Sequence, residues 1–518
     1  MRNRVFIFIC VALLTLTVVP VINLKFGNAH KQGEKEWWSR SVLYNIDFAL
    51  PFLSRFFYTL GISTDPNQVI IGKNGWLYLG DKYEKTITVK RFGVTAEDMK
   101  TAERIGLATK AWDQWLKLKG VRIYHIMLAP DKDTIYPEFL PDWAQPSTNT
   151  ATNALLANVS QEIYLDTRPA LKAAKSHFSE PLYYKTDSHW NQLGSWVAFH
   201  ALSMKVARTE TGLHWLSKKN MRQKVESMGG LDLANFLRMA RTLQDIRVRV
   251  ENVIEHPIET ELYDFETGHL MASGDTSIKI GSPQRPVLVN SKHALNQARV
   301  LWLFDSFALT GMIPFMIATF TKTLMFNYDA VDPDRFAQLV DTYKPDYVFI
   351  TTAERDARGE WFKNPPPKIV IPGKLKNFIS LSQGVQSGIN DMTKVEGAEA
   401  YKISGADPYI TFVITSPVRT QDASQLVFEL TCGEKKEPVQ VQVFWHTAGT
   451  VFSEANSVRF TTNPGITTIG LSPLFSWAQA KNITDVRIDI DSHSTCPVLT
   501  INSLELGKSS AHPNAFER

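Results

Sequence analysis

The chain has 518 residues, of which 44% are hydrophobic and 21% charged, and these ordinary values exclude a disordered, collagen-like or coiled-coil protein. Its formal net charge of +4 gives no strong positive field, so nucleic acid is not an expected partner. A domain of ~150 residues is typical, so this length predicts two or three domains.

The N-terminus predicts a membrane segment. The run 5–22 carries no charge and is close to the shortest helix that spans a bilayer. Two arginines precede the run, which places the N-terminus in the cytoplasm and the rest of the chain outside it. A cleaved signal peptide is the alternative, although residues 23–26 are a poor cleavage context. We therefore expect residues 1–25 to be a membrane anchor or a signal segment.

The region from about residue 65 to 360 predicts an α/β domain. An Asn-Gly turn between two apolar runs indicates a hairpin at 69–79. A capping box at Thr95 and Asp98 begins a helix that extends to about Leu118. The later predicted elements are strands at 121–128, 300–304, 324–328 and 347–351, a helix at 334–343, and inserted antiparallel strands within 245–290. This alternation is typical of a mainly parallel sheet, where ligands bind beyond the carboxyl ends of the strands.

The last part of the chain predicts an all-β sandwich. From about Lys394 onward, short alternating strands follow one another with almost no helical signal. The predicted strands begin at Tyr409, Gln425, Val439, Ser457 and Val486. Residues 365–384 are the expected join, and the three predicted segments are 1–25, 26–385 and 390–512.

The three cysteines divide between these segments. Cys10 lies in the apolar N-terminal run, and we interpret it as a small apolar residue of that segment. Cys432 and Cys496 both fall in the predicted sandwich, where an oxidising compartment favours a disulfide between them. Two unrelated buried thiols are the alternative.

Two short motifs could carry chemistry. Ser306 follows a buried strand at the start of a helical pattern, so its hydroxyl would lie at the carboxyl edge of the sheet and its N–H at a helix start. Asp187 and His189 lie in a loop entering a helix, where the carboxylate could orient an imidazole that activates the serine. Helix capping explains each motif alone equally well, with Asp305 as a structural cap. Metal ligation by Asp187 and His189 lacks a clear third ligand.

Six short motifs follow one another along the chain: GKNGWLYL at 72–79, PDKDTIYP at 130–137, DSHWN at 187–191, GLDLA at 230–234, DSF at 305–307, and KPDYV with AER between 344 and 355. Together they resemble the alginate O-acetyltransferases of the AlgJ/AlgX type, within the SGNH-hydrolase-like superfamily. The resemblance covers roughly residues 65–360. Several weak motifs in the same order are much more specific than any one of them.

The resemblance implies a catalytic triad of Ser306 as nucleophile, His189 as general base and acid, and Asp187 as its orienting carboxylate. It implies an SGNH-like fold and transfer of acetyl groups to hydroxyls of an extracytoplasmic polysaccharide, whereas the lack of a nucleotide or metal signature in the sequence predicts that no such cofactor is needed. It also implies an acetyl donor relayed by a membrane-bound O-acyltransferase, other polysaccharide assembly proteins as partners, and a place in the bacterial periplasm at the inner membrane.

Four further residues are expected to contact substrate. Asp131, Lys132 and Tyr136 lie on a loop after a strand, although a salt-bridged loop explains them equally well. Trp445 could present a sugar-stacking face if the sandwich resembles a carbohydrate-binding module, although a core position is the simpler interpretation. Two other functions stay open. The same triad could remove acetyl groups as an esterase, or the protein could be a non-catalytic polysaccharide-binding scaffold whose triad groups lie apart.

Overall fold

The computed structural model describes residues 2–25, 38–45, 49–217, 219, 221–252, 257–366, 375–381, 385–433, 439–462, 466–471, 474–491 and 496–509. Much of the predicted join (367–374 and 382–384), two stretches after the N-terminal run (26–37 and 46–48) and the predicted end of the sandwich (510–512) lie outside these residues.

The helices of the described residues are α1 (Arg2–Lys25), α2 (Arg40–Leu43), α3 (Leu50–Thr59), α4 (Thr86–Phe92), α5 (Ala96–Leu118), α6 (Lys132–Ile135), α7 (Ala151–Asn158), α8 (Arg168–Lys175), α9 (Gln192–Val206), α10 (Asp232–Phe236), α11 (Ser306–Leu309), α12 (Ile313–Thr319), α13 (Pro333–Tyr343), α14 (Glu360–Lys363) and α15 (Phe475–Gln479).

The strands are β1 (Val69–Ile71), β2 (Leu77–Leu79), β3 (Ile123–Ala129), β4 (Tyr164–Asp166), β5 (Met221–Gly229), β6 (Gln244–Asn252), β7 (Glu259–Asp264), β8 (Leu270–Gly274), β9 (Val287–Lys292), β10 (Asn296–Phe304), β11 (Phe320–Asn327), β12 (Tyr347–Ala353), β13 (Leu375–Ser380), β14 (Val385–Asn390), β15 (Met392–Lys394), β16 (Ala400–Ile403), β17 (Tyr409–Arg419), β18 (Gln425–Cys432), β19 (Val439–His446), β20 (Ser457–Thr462), β21 (Thr467–Gly470), β22 (Asn482–Ile490) and β23 (Val498–Ser509).

A mixed eight-stranded sheet forms the centre of the first part of the chain, in the order β4-β3-β12-β10-β11-β9-β7-β8. The strands from β4 to β11 are parallel, as expected. The antiparallel strands predicted within 245–290 belong to two different sheets. Strands β7 and β8 extend the large sheet beyond β9 with antiparallel pairing. Strand β6 pairs with β5 in a separate two-stranded ribbon. The sheet is therefore parallel on one side and antiparallel on the other.

Both faces of this sheet are covered, which explains the continuous apolar strands in the sequence. Every residue of β3 and β12 is buried, as expected for strands with helices on both sides. Alternate residues enter two cores: Met127 and Phe349 pack on the side of α9 and α12, whereas Leu128 and Ile350 pack on the side of α5 and α13. Because β3, β10 and β12 are parallel, the segments that follow them meet at one edge.

Two antiparallel sheets form the C-terminal region. One has the order β15-β16-β23-β18-β21 with β13 added on β23, and the other has the order β14-β17-β22-β19-β20. Side chains from both sheets, among them Phe428 and Phe412, share one hydrophobic core. A disulfide joins Cys432 and Cys496. Strand β13 lies before the predicted boundary at residue 385 and pairs with β23, so these sheets begin earlier than predicted.

Helix α1 is long and apolar enough to cross a membrane, with a mean hydropathy of 2.6 over the stretch Phe6–Lys25. A signal sequence at the N-terminus has the same length and composition, so both predicted interpretations of residues 1–25 stay open.

Candidate active site

Ser306 is the first residue of α11, directly after the central strand β10. Asp305 caps this helix, as expected, because its carboxylate accepts a hydrogen bond from the Phe307 N–H at 2.9 Å. The same carboxylate accepts a hydrogen bond from the N–H of Ala353, which ties the end of β10 to the end of β12. Burial raises the pKa of Asp305 to about 6 despite the nearby Arg355 guanidinium. The capping carboxylate therefore holds Ser306 at the carboxyl edge of the sheet.

The loop before α9 carries Asp187 and His189. Its far end is fixed by the Trp190 indole N–H, which donates a hydrogen bond to the Phe307 carbonyl at 2.8 Å. Asn191 then caps α9, since its side-chain oxygen accepts hydrogen bonds from the first turn. The edge of the His189 ring lies against the Phe307 ring, with centroids 4.9 Å apart. The loop is thus attached directly to the short helix that begins with Ser306.

These contacts join three side chains in one line. Asp187 Oδ1 lies 2.6 Å from His189 Nδ1, and His189 Nε2 lies 2.8 Å from Ser306 Oγ. Asp187 Oδ1 also accepts a hydrogen bond from the His189 backbone N–H at 3.0 Å. Burial opposes charge on Asp187, but its hydrogen bonds with His189 outweigh burial and hold its pKa below its usual value. The arrangement can pass a proton from the serine hydroxyl to an imidazole that a carboxylate orients.

Asp232 is a fourth member of this group that the sequence did not identify. Its carboxylate accepts hydrogen bonds from the Ser188 N–H at 2.9 Å and the Ser188 hydroxyl at 2.7 Å, and lies 4.0 Å from His189 Nδ1. Burial, together with the Asp187 charge, raises the pKa of Asp232. Asp232 lies in the motif at 230–234, which is part of the family resemblance. That motif was the sequence signal from which Asp232 could have been identified.

Asp187, His189 and Asp232 each bring one possible metal-ligand atom within 4.8 Å of the others. Asp232 would supply the third metal ligand that could not be identified from the sequence alone. The Asp187 carboxylate is also hydrogen-bonded to His189, and the Asp232 carboxylate accepts a hydrogen bond from the Ser188 hydroxyl. These contacts orient the histidine and the residue before it.

The expectation that Lys132 contacts substrate is wrong, because this side chain is buried beneath the loop. Its ammonium donates hydrogen bonds to the carbonyls of Tyr184 and Lys185 at 3.0 Å and to that of Asp187 at 2.6 Å. Burial lowers the pKa of Lys132 to about 8, although surrounding carboxylates, Asp232 and Asp187 foremost, oppose this shift. With its three N–H groups on loop carbonyls, Lys132 supports the loop that carries Asp187 and His189.

Asp131 is likewise buried, and its carboxylate forms ion pairs with Lys90 at 3.0 Å and with Arg355. Burial opposes charge on Asp131, but the two cations outweigh it and lower its pKa. Glu354 lies in the same group, with its carboxylate 3.5 Å from the Lys90 ammonium. It accepts hydrogen bonds from the hydroxyls of Thr134 and Thr152. These groups form a buried network between the ends of β3 and β12, so the expectation of substrate contact by Asp131 is also wrong.

Tyr136 and Trp445 are buried too, and neither reaches a surface where substrate could bind. The Tyr136 hydroxyl accepts a hydrogen bond from the Leu182 N–H at 2.9 Å, and its ring stacks on Trp76. Trp445 has no exposed surface and packs edge-on against Trp477 in the core between the C-terminal sheets. The expectation that Tyr136 and Trp445 contact substrate is therefore wrong, because each ring fills a hydrophobic core. For Trp445, a core position was the simpler interpretation of the sequence.

Residues 69–278 match the model of a family described as the SGNH hydrolase-like domain of the acetyltransferase AlgX. The resemblance to the AlgJ/AlgX type is thereby confirmed over this segment. The match includes Asp187, His189 and Asp232 but ends before Ser306, which the folded chain brings to His189.

Solved structures give weaker likenesses. Bacillus cereus PatB1 has a TM-score of 0.43 at 14% identity, covering 57% of this chain and 98% of that one. The O-acetyltransferase domain of Pseudomonas putida AlgJ has a TM-score of 0.34 at 17% identity, covering 56% and 92%. A xylan-binding module, CBM86 from Roseburia intestinalis, has a TM-score of 0.20 at 14% identity, covering 25% and 92%. No curated protein matches the chain.

Proposed function

We propose that the protein is an O-acetyltransferase that transfers acetyl groups to hydroxyls of an extracytoplasmic polysaccharide. The observation that carries this proposal is the continuous hydrogen-bonded line from Asp187 through His189 to Ser306. The family match over residues 69–278 supports it, because the matched family is one of SGNH hydrolase-like acetyltransferases.

In the first half of the reaction, Ser306 Oγ attacks the carbonyl carbon of the donor's acetyl group while His189 Nε2 accepts the hydroxyl proton. The Asp187 carboxylate stabilises the imidazolium that forms. We assign the Ser306 N–H, at the first residue of α11, as one donor to the developing oxyanion. When the tetrahedral intermediate collapses, His189 returns the proton to the leaving group, and Ser306 carries the acetyl ester.

The second half reverses these roles. His189 Nε2 accepts the proton of a sugar hydroxyl while the sugar oxygen attacks the acetyl-serine carbonyl. Collapse then breaks the bond to Ser306 Oγ, which regains its proton from His189, and the sugar leaves as an acetyl ester. Water in place of the sugar hydroxyl would give hydrolysis, so the same three residues also serve an acetylesterase.

The wider setting follows from the same proposal. With α1 as an inner-membrane anchor, the catalytic region lies in the periplasm, and a membrane-bound O-acyltransferase supplies the acetyl group. The other partners are the acceptor polysaccharide, for which the C-terminal sheets are the proposed binding unit, and further polysaccharide assembly proteins.

The test uses the purified full chain in detergent with a chromogenic acetyl ester, with and without oligosaccharide acceptors, and mass spectrometry of the products. In Ser306→Ala, both ester turnover and acetylation of an oligosaccharide should fall by at least ~10³-fold. Ser176→Ala is the matched control and should keep full activity, since Ser176 is exposed and its hydroxyl contacts the Ala173 carbonyl and the neighbouring His177.

The other outcomes decide between the alternatives. Serine-dependent release of acetate without any acetylated oligosaccharide, across uronate and neutral acceptors, would favour the esterase. Equal inactivity of wild type and Ser306→Ala, with retained polysaccharide binding, would contradict both enzymes and favour a scaffold.

A further inference from the structure

Helix α3 carries an apolar stripe on its outer face. Phe52, Phe56 and Leu60, spaced four residues apart along α3 and its C-terminal cap, are 76%, 55% and 58% exposed. Residues at this spacing lie on one side of a helix. Three large apolar side chains exposed together mark a contact surface for an apolar partner.

The opposite face of α3 is fixed to the α/β region. Ser54 is buried and its hydroxyl lies 3.3 Å from that of Thr64. Tyr58 packs against a small core that contains Leu77 and Leu233. Since the inner face is held in this way, α3 presents its stripe outward as part of the folded protein.

The end of the apolar helix α1 is tied to the segment that leads into α3. The buried Asn23 side chain donates hydrogen bonds to the carbonyls of Leu43 at 2.8 Å and Asn45 at 2.7 Å. The Tyr44 hydroxyl donates to the Leu16 carbonyl at 3.3 Å, so this ring lies beside the last turns of α1. Asn23 directly follows the uncharged run 5–22, so its two hydrogen bonds hold the segment before α3 near the point where α1 would leave a bilayer.

The charges near the stripe suit a lipid surface. Lys25 lies in the last turn of α1, and Arg55 is exposed on α3 beside the stripe. The sequence of α3 contains no acidic residue. An apolar face flanked by a basic side chain is the pattern of helices that lie in the headgroup region of anionic membranes.

We propose that α3 lies on the bilayer crossed by α1, with Phe52, Phe56 and Leu60 inserted among the lipid headgroups. This inference rests on α1 acting as the membrane anchor in the proposed function. The core that holds Tyr58 also contains Leu233, directly after Asp232 of the active site. Contact of α3 with lipid thus gives the catalytic region a second attachment and one orientation, with the active site held close to the membrane from which the acetyl group would come.

The test measures the depth of an environment-sensitive NBD probe in full-length protein reconstituted into phosphatidylethanolamine/phosphatidylglycerol vesicles. The native Cys10 is labelled as the reporter of α1. In a Cys10→Ser background, Phe56→Cys reports on the stripe, Phe52→Cys repeats the measurement, and Val451→Cys, 79% exposed in the C-terminal region, is the matched control. Lipids with a nitroxide at a shallow or a deep acyl position quench the probe.

We expect the probe at Cys10 to be quenched best by the deep nitroxide. An interfacial helix inserts its apolar face ~5–10 Å, so probes at positions 52 and 56 should be quenched at least ~2-fold more by the shallow nitroxide than by the deep one. The probe at position 451 should respond to neither.

Three results would overturn the inference. Probes at positions 52 and 56 that behave like position 451, with Cys10 quenched, would leave the anchor intact but remove α3 from the membrane. A blue-shifted but unquenched probe at both positions would mean that protein covers the stripe. An unquenched probe at Cys10 would remove the anchor itself, while the activity of Ser306 is tested separately and without vesicles.

Discussion

Lys132 is a buried cation whose contacts support the loop that carries two of the proposed catalytic residues. Its three hydrogen bonds end on backbone carbonyls of the loop that carries Asp187 and His189. Lysine is the one side chain that offers three hydrogen-bond donors on a single nitrogen atom. Removing the ammonium group would leave these three carbonyls without a hydrogen-bond partner, and the loop would lose the group that holds it from below.

We expect Lys132→Met to lower kcat for a chromogenic acetyl ester by about 10- to 100-fold with KM little changed, because a small displacement of His189 weakens proton transfer. The lost hydrogen bonds should lower the free energy of unfolding by about 1–3 kcal/mol. Steady-state kinetics and denaturant unfolding of the full chain check the two effects.

The control for this change is Lys175→Met, because Lys175 also donates to a backbone carbonyl, but that carbonyl belongs to Ile135 in α6 and not to the loop of Asp187 and His189. Its kcat should equal that of wild type, and an equal loss in both variants would contradict a positioning role for Lys132.

The pH dependence of stability gives a second check on Lys132. Lys132 has a pKa near 8 in the folded protein and 10.5 unfolded. The unfolded chain therefore binds more protons between these values, and the stability of wild type relative to Lys132→Met should rise with pH from 8 to 10.5.

At the scale of elements, the disulfide closes a long loop in the C-terminal sheets. Cys432 ends β18, and Cys496 lies shortly before β23, the strand that pairs with β18. The two residues are 64 positions apart in sequence, and the loop between them contains β19, β20, β21 and β22. A cross-link of this length restricts the unfolded chain strongly.

We expect the Cys432→Ala/Cys496→Ala variant to lose about 4 kcal/mol of stability in the unfolding transition of the C-terminal sheets, from the entropy of closing such a loop. Denaturant unfolding followed by tryptophan fluorescence measures the loss, and reducing agent should lower wild type to the same value. Cys10→Ser should change nothing, and equal stability of the double variant and wild type would contradict the expectation.

At the scale of the whole molecule, the α/β region and the C-terminal sheets have separate cores and share no strand among the described residues. They meet where Gln479 donates a hydrogen bond to Glu103 at 3.1 Å. A cleft of about 710 Å³ lies beside this contact, with Arg104 and Lys363 from one side and Leu474 from the other. Because each part has its own hydrophobic core, each is expected to fold alone.

We therefore expect a chain that ends at residue 366 to fold and to hydrolyse small acetyl esters within about threefold of wild type, since the triad lies wholly within it. If the C-terminal sheets bind polymer, KM for long oligosaccharides should rise by about 10-fold with kcat unchanged, the pattern of lost uniform binding. Full-length protein with short oligosaccharides is the control. Soluble, folded but inactive truncated protein would contradict the independence of the α/β region.

The sequence by itself determined the elements whose signals are local. The capping box at Thr95, the buried strands after Gly120 and Arg299, and the short C-terminal strands each follow from neighbouring residues, and the structure places elements there. The motif order was enough for the family resemblance. The family resemblance in turn implied Ser306, His189 and Asp187 as one group, because the local pattern around each motif is explained equally well by helix capping.

Only the tertiary structure decided which polar residues at that edge face solvent. Asp131, Lys132 and Tyr136 follow a strand just as Ser306 does, but β3 is followed by a segment packed under the loop, so their polar atoms bond within the protein. Asp232 joins the site from a separate element, 45 residues after Asp187 along the chain, through bonds to Ser188. The burial of polar side chains and their long-range hydrogen bonds depend on residues far apart in sequence, and hydrophobic periodicity does not identify those partners.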